Sequence, residues 1–413
     1  TMKSITEFKY WQRNPANHNV ADVVSVILNT NYKSLDERLR TIYRRMENIP
    51  AYYGAAKNNI KTATLAHTSL AISQNKGALS LFEQSMIDRL AESTLPDAEK
   101  TQFKNRVQIS VNAINDYVAW LEKLQVQLAS GSQVKDFRIG KNLYDQKFKF
   151  DIFSGFSADE LYNKAVAERQ RIHQEMIAIT ESLWPNYFAD QAIPTDKLVA
   201  VKQLIDHLSV KHVKRDEFVS SIRAQIPELE AFVKKHNLLE MDEKKPLVVR
   251  ETPAYQRGFA GASINAPGPY DANANTYYNV TPLDNFNDEQ AESYLREYNH
   301  WILQILNIHE AVPGHYTQLV HSNKTPSMVK AIFGNGAMIE GWAVYTERMM
   351  LEQGYGDHEP ELWLMFYKWH LRVITNAIID YEIQVSGLTE EQALDQMMNL
   401  AFQQEAEARG KWR

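Results

Sequence analysis

Charged and apolar positions recur with helical spacing over Ser34–Met46, Ala98–Leu128, Ser157–Trp184 and Thr195–Leu208, which predicts a largely helical stretch over residues 1–235. Ser157-Ala158-Asp159-Glu160 has the form of a capping box, where the serine hydroxyl and the glutamate satisfy opposite unpaired amides. Pro185, Pro194 and Pro227 punctuate the later helices. The pattern changes near Lys245. LVVRETPAY, RGFAGASINAP and NTYYNVTPL are short, β-branched and aromatic, with Pro and Gly between them, and predict a small antiparallel sheet within residues 247–283. Helical spacing returns over Asp288–Glu310 and again after Thr325, and Gly354 and Gly356 end the helix that holds Glu340. The expected fold is mainly α. Residues 1–240 form a helical scaffold half. Residues 241–413 form a catalytic half with the sheet, a helix over about 288–320 and the Glu340 helix,. A groove between the two halves is expected.

Composition narrows the function classes. The 413 residues are 44% hydrophobic and 23% charged, an ordinary globular balance,. A net charge of -6 argues against a nucleic-acid partner, which needs a basic face,. No apolar run is long enough for a membrane-spanning segment. The absence of cysteine removes disulfides and thiolate metal sites,. The chain opens Thr1-Met2-Lys3 without an apolar leader.

The chemistry concentrates in IHEAVPGHYTQ, Ile308–Gln318, which follows the apolar run WILQIL. A His-Glu pair on a helix is how many zinc hydrolases supply metal ligands and a general base from one element. Histidines four apart share a helix face, but His309 and His315 are six apart, leaving them about 120° apart on a straight helix. Both can reach one ion only if the helix deforms. Pro313 lacks an amide proton and its ring pushes on the carbonyl of His309, and Gly314 relaxes the backbone beside it. Glu310 points to a different side and is placed to act as general base, then as acid towards the leaving amine.

A third ligand is expected from another helix, and Glu340 in GAMIEGWAVYTERM is the best candidate, one helix-turn-helix after His315. Glu347, seven further on, shares its face and is either a group that orients a ligand histidine or a surface partner for Arg348. For the oxyanion donor, Tyr277, Tyr278, Tyr316 and Tyr381 stay open among 20 tyrosines. Arg372 is either a clamp for a peptide carboxylate or a surface ion pair. His300, His321 and His370 read as ordinary core or surface residues, and the methionines of the second half as core filler. The sheet beside the His-Glu helix could pair with an extended peptide through its edge.

HEAVPGHYTQ followed by IEGWAVYTERMMLEQGY resembles the bacterial family of domain of unknown function 885. The likeness extends through RMENIPAYYGAAKNNI, FRIGKNLYDQKFKF, GFSADELY and GLTEEQALDQMM, and so covers nearly the whole chain. In site layout that family is similar to the mostly helical zinc peptidases such as thimet oligopeptidase and angiotensin-converting enzyme. The resemblance implies zinc held by His309, His315 and Glu340, with Glu310 as base and a gluzincin-like fold. It also implies a leader missing upstream and a place in the bacterial envelope or periplasm, with the cytoplasm as alternative. One departure stands out: where many members read close to RxxxDTGLH, this chain reads NAIIDYEIQ. Asn376 stands for the arginine and Gln384 for the histidine, so Tyr381 or Gln384 is expected to take over any role in binding the transition state.

The expected function is a zinc metallopeptidase that cleaves short or extended peptides with a metal-activated water. The alternatives are a zinc amidohydrolase acting on a non-peptide amide, and a degenerate, non-catalytic envelope protein that binds a peptide or partner. An intact base and ligand set argues against the last, because a binding module has no need to activate water.

Overall fold

Ser157 caps the helix along which the second half of the chain is built. The computed structural model describes residues 6, 8–30, 32–131, 136–242, 244–252, 261–268, 275–284 and 286–412. In it the Glu160 amide donates to the Ser157 hydroxyl at 3.2 Å, and the Ser157 amide donates to Glu160 Oε2 at 2.8 Å. Helix α1, Ala158–Tyr187, then buries Ala165, Ile172, Met176 and Leu183 along one stripe, as spacings of seven and four require. Helices α2, Lys197–Leu208, and α3, Phe218–Lys235, pack into the same core. Pro194 lies between α1 and α2, as the sequence suggests, but Pro185 and Pro227 sit inside helices rather than ending them. An internal proline costs about 3 kcal/mol. In α3 that loss is outweighed by the burial of Ile222, Ile226, Leu229 and Val233, each contributing about 1.5–3 kcal/mol.

Three strands follow: β1, Leu247–Glu251, β2, Ala262–Asn265, and β3, Thr276–Val280. Their order is β1-β3-β2. β1 runs parallel to β3, with Val249 opposite Tyr278, and β2 runs antiparallel to it, with Ile264 opposite Tyr278. The sheet is therefore mixed, which corrects the antiparallel expectation. β2 turns back along the far side of β3, so the chain enters β3 in the same direction as β1. Residues 253–260, part of two expected strand segments, lie outside the described residues. β3 is the buried centre, and β2 is an edge with alternate residues exposed.

The expected helix over about 288–320 is three helices. Helix α4, Asp288–Glu297, stops before Asn299, whose side chain accepts from the amides of Trp301 and Ile302 and starts α5, His300–Glu310,. Helix α6 is His315–Ser322, α7 is Met328–Ile332, α8 is Gly336–Glu352, α9 is Pro360–Tyr381 and α10 is Glu405–Trp412. Gly354 and Gly356, both at positive φ, turn the chain after α8,. Helix α7 and its flanks expose Met328, Val329, Ile332, Phe333 and Met338.

Two compact units result, Thr1–Leu143 and Tyr144–Arg413. The first is all helical among its described residues, with Leu39, Ile42, Tyr53, Phe82, Ile114 and Leu121 in its core. The second joins α1–α3 to the sheet, α5 and α9 in one core, from Ile172, Leu204 and Ile226 to Trp301 and Leu364, and a smaller cluster around Ala393, Met397 and Ala408 packs the C-terminal helices. The boundary thus falls well before the expected 240. The change of pattern at Lys245 marks the sheet, not a break in packing. α1 is fastened to the two ends of α9 and its continuation by hydrogen bonds of 2.7 Å, Tyr187 to Glu361 and Tyr162 to Glu382.

Candidate metal centre

The α5 helix ends at Glu310 because its hydrogen bonding widens. The amide of Ala311 donates to Asn307 and so does that of Val312, at 2.9 and 3.2 Å, while the amide of Gly314 reaches back to Ile308 at 2.9 Å. The Val312–Pro313 peptide is cis. Gly314 is pressed so closely on the carbonyls of His309 and Ile308 that a Cβ at that position would overlap both. The indole of Trp342 on α8 donates to the Pro313 carbonyl at 2.9 Å, tying the break to the next helix. The chain then restarts as α6 with His315 in its first turn. The outcome is a complete helix break rather than a bulge. It brings the rings of His309 and His315 edge to face, 4.6 Å between centroids and 86° between planes.

Glu340, near the start of α8, meets them. Its Oε2 lies 3.7 Å from His309 Nε2 and 3.5 Å from His315 Nε2. One donor atom from each of the three residues falls within 4.8 Å of the others. Tetrahedral zinc with bonds of about 2.0–2.1 Å spaces its ligands about 3.3–3.4 Å apart, close to the 3.5 and 3.7 Å that separate Glu340 from the two imidazoles. Both partners' charges gather here. Burial works against a charge on His309, but contact with Glu340 and Glu347 outweighs it, and the imidazole is pushed up to about 10. The two histidines hold the Glu340 carboxyl well below the usual range. Its side chain is 68% exposed, so water screens part of that pull.

Behind His309, Glu347 is fully buried at 0% exposure. His309 Nδ1 lies 2.6 Å from Glu347 Oε1, and the Trp369 indole of α9 donates to the same oxygen at 2.9 Å. A carboxylate oxygen can only accept, so Nδ1 carries a proton and Nε2 is the nitrogen that faces Glu340. Glu347 is thus the orienting group, not the surface partner of Arg348, which pairs with Glu352 at 2.7 Å. Burial raises the Glu347 carboxyl against the pull of His309. His315 Nδ1 is buried without a hydrogen-bond partner among the described residues.

Glu310, His309, His315 and Glu340 line a cavity of about 310 Å³ with Ala262, Ser263 and Ile264 of β2, Leu319 of α6 and Ile339 of α8. All of these lie in the second unit, so the cavity is built within one half rather than between the two expected halves. Burial raises the Glu310 carboxyl, opposed by His309 and His315. The edge strand β2 forms one wall.

Other expected residues fall elsewhere. Tyr278 is buried, donating to Asn307 Oδ1 at 3.0 Å, and braces β3 against α5. Tyr316 donates to the Lys245 carbonyl. Tyr277 lies under the Arg250 guanidinium, 3.8 Å from its ring centre. Tyr381 donates to Asp159 at 2.6 Å and stacks on Tyr162. It is twelve residues beyond Trp369 on α9, about 18 Å along the axis, and is not a wall of the cavity. Gln384 comes three residues later still and is not a wall of the cavity. Asn376 accepts from Lys411 Nζ at 2.8 Å. Arg372 is paired with Glu407 at 2.7 Å and Tyr298 at 3.1 Å, with little of either charged side chain exposed, so it is not the surface pair. Trp369, not singled out from the sequence, touches the site through Glu347. The available signal was that a buried indole N–H needs an acceptor.

A sequence profile described as "Bacterial protein of unknown function (DUF885)" matches residues 2–413. The chain belongs to the DUF885 family. Among solved structures this DUF885 protein is similar to one titled as a "putative lipoprotein of unknown function" from Shewanella oneidensis, with 59% identity and a TM-score of 0.84, covering 99% of this chain and 73% of that one. A second, a "putative lipoprotein" from Colwellia psychrerythraea, matches with a TM-score of 0.73 over 94% of this chain and 68% of that one; at 18% identity it bears on the fold alone. No curated protein matches the DUF885 chain. Among its described residues no helix is long and apolar enough to cross a membrane.

Proposed function

We propose that this protein is a zinc-dependent metallopeptidase acting on short or extended peptides. The observation that carries the reading is the convergence of His309, His315 and Glu340 at spacings close to those of tetrahedral zinc, with the Glu310 carboxyl in the same cavity,. His309, His315 and Glu340 would hold the ion, which supplies a Lewis acid that polarises a carbonyl and acidifies water. Glu310 takes the proton from the attacking water and delivers it to the leaving amine. Its raised proton affinity suits that exchange near neutral pH. Glu347 fixes the ring of His309 through Nδ1. β2 is an edge strand whose residues line the cavity; main-chain pairing of such a strand with an extended peptide supports a peptide over a compact amide as substrate. The chain's similarity to "putative lipoprotein" structures supports a place in the bacterial cell envelope.

The test is digestion of a peptide library with and without a chelator, alongside metal analysis. About one zinc per chain and chelator-sensitive cleavage are expected. Glu310→Gln should keep the zinc and lose turnover by at least about 100-fold. Undiminished turnover in that variant, or a purified protein that takes up no zinc, would overturn the reading.

A further inference from the structure

We propose that Trp369 is a positioning residue for His309, and that Arg372 and Glu407 hold Trp369 in place. The inference rests on the reading of His309 as a zinc ligand. Glu347 Oε1 receives two donors, His309 Nδ1 at 2.6 Å and Trp369 Nε1 at 2.9 Å. Its other oxygen is buried without a hydrogen-bond partner among the described residues. With only one oxygen engaged, the His309 contact does not by itself fix the rotation of the carboxylate. The indole N–H adds a second direction on that oxygen, and two directions set the plane in which Nδ1 is received. A histidine held through its second nitrogen presents the first in one orientation.

The indole is itself held. Trp369 is 6% exposed, and the Arg372 guanidinium lies 4.6 Å from its ring centre, a cation over the negative face of the ring. Arg372 sits three residues on along α9, one turn away, so the stacking is set by the helix. Its other donors are taken by Glu407 on α10 at 2.7 Å and by Tyr298 at 3.1 Å. An ordered path thus runs from α10 through Arg372 and Trp369 to Glu347 and His309. It gives the Arg372 guanidinium partners on α10 and at the end of α4, although Arg372 is not a wall of the cavity.

Trp369→Phe keeps an aromatic ring and deletes only the N–H donor and part of the packing. In metal-free protein, the His309 Nδ1–H proton should give an NMR resonance protected from exchange with water. The variant is expected to move that resonance and speed its exchange, and to weaken zinc binding, measured against a competing chelator, by about tenfold. Glu407→Gln should shift both readouts in the same direction by less. Ile374→Val, a core change on the same helix, serves as the packing control and should leave the resonance in place. An unmoved resonance with zinc affinity within twofold of wild type would overturn the proposal. So would a fall in stability of Trp369→Phe with the resonance unchanged, since that is the mark of packing alone. If wild-type protein takes up no zinc, the zinc reading falls separately and the resonance still decides the relay.

Discussion

Gly314→Ala tests whether the helix break builds the site. The substitution adds one methyl group, but at this position it would lie inside the surfaces of the His309 and Ile308 carbonyl oxygens. These are backbone atoms and cannot rotate aside. Restoring ordinary contact requires the chain to separate by more than about 1 Å. The hydrogen bond from the Gly314 amide to Ile308, 2.9 Å long, then breaks. Its loss and the overpacking together amount to about 2–4 kcal/mol of stability. The larger effect falls on the metal. His315 follows Gly314 directly, so the shift is passed to its imidazole, while zinc tolerates only about 0.2 Å in its ligand distances. Zinc affinity should fall by at least about 100-fold, read by chelator competition below the melting temperature of the variant. Gly341→Ala, where a Cβ meets nothing within 4 Å, is the matched control and should bind zinc normally. Wild-type zinc affinity in Gly314→Ala would refute the argument that this break positions His315.

Three further outcomes follow from the charged groups. Lys368 and Glu297, 1% and 3% exposed, pair at 2.8 Å; Lys368→Met strands the carboxylate and should cost about 3–5 kcal/mol in denaturant unfolding, and a loss below 1 kcal/mol would contradict it. Burial, then the neighbouring Arg372, pushes Lys411 down to about 7, so between about pH 7 and the ordinary value near 10.4 the unfolded chain holds a proton that the fold does not. This group's contribution to stability therefore rises with pH across that window, and Lys411→Met should stabilise the protein more at pH 6 than at pH 10; equal gains at both would be inconsistent with the shift. Glu340→Gln should weaken zinc binding by at least about tenfold yet leave the melting temperature of the metal-free protein nearly unchanged, because its side chain is largely exposed,; calorimetry checks both.

How much could be read from the chain depended on how far apart the cooperating residues lie. The Ser157–Glu160 cap and the stripe of α1 are local, so spacing alone foretold them. His309, Glu310, His315 and Glu340 fall within one stretch whose residue types name their chemistry, and the seven-residue step to Glu347 placed it on the face of Glu340. The pairing of β1 with β3 joins residues 29 apart, and nothing in a strand's composition tells parallel from antiparallel. The partners of Tyr381 were not legible, because residue type carries no information on distance along α9. The unit boundary was missed because composition changes where the sheet begins, whereas the core of α1–α3 continues into α5 and α9.

The chain between His315 and Glu340 departs from the cavity, passes through the exposed apolar residues of α7 and returns. An ion held by residues at both ends of that excursion would close it as a clasp does, removing much of the freedom of the open loop. Ile339, a wall of the cavity, lies immediately inside the clasp. The ion would therefore set the shape of the cavity as well as its chemistry. With the clasp open, the exposed sequence around Phe333 would be offered to a protease,.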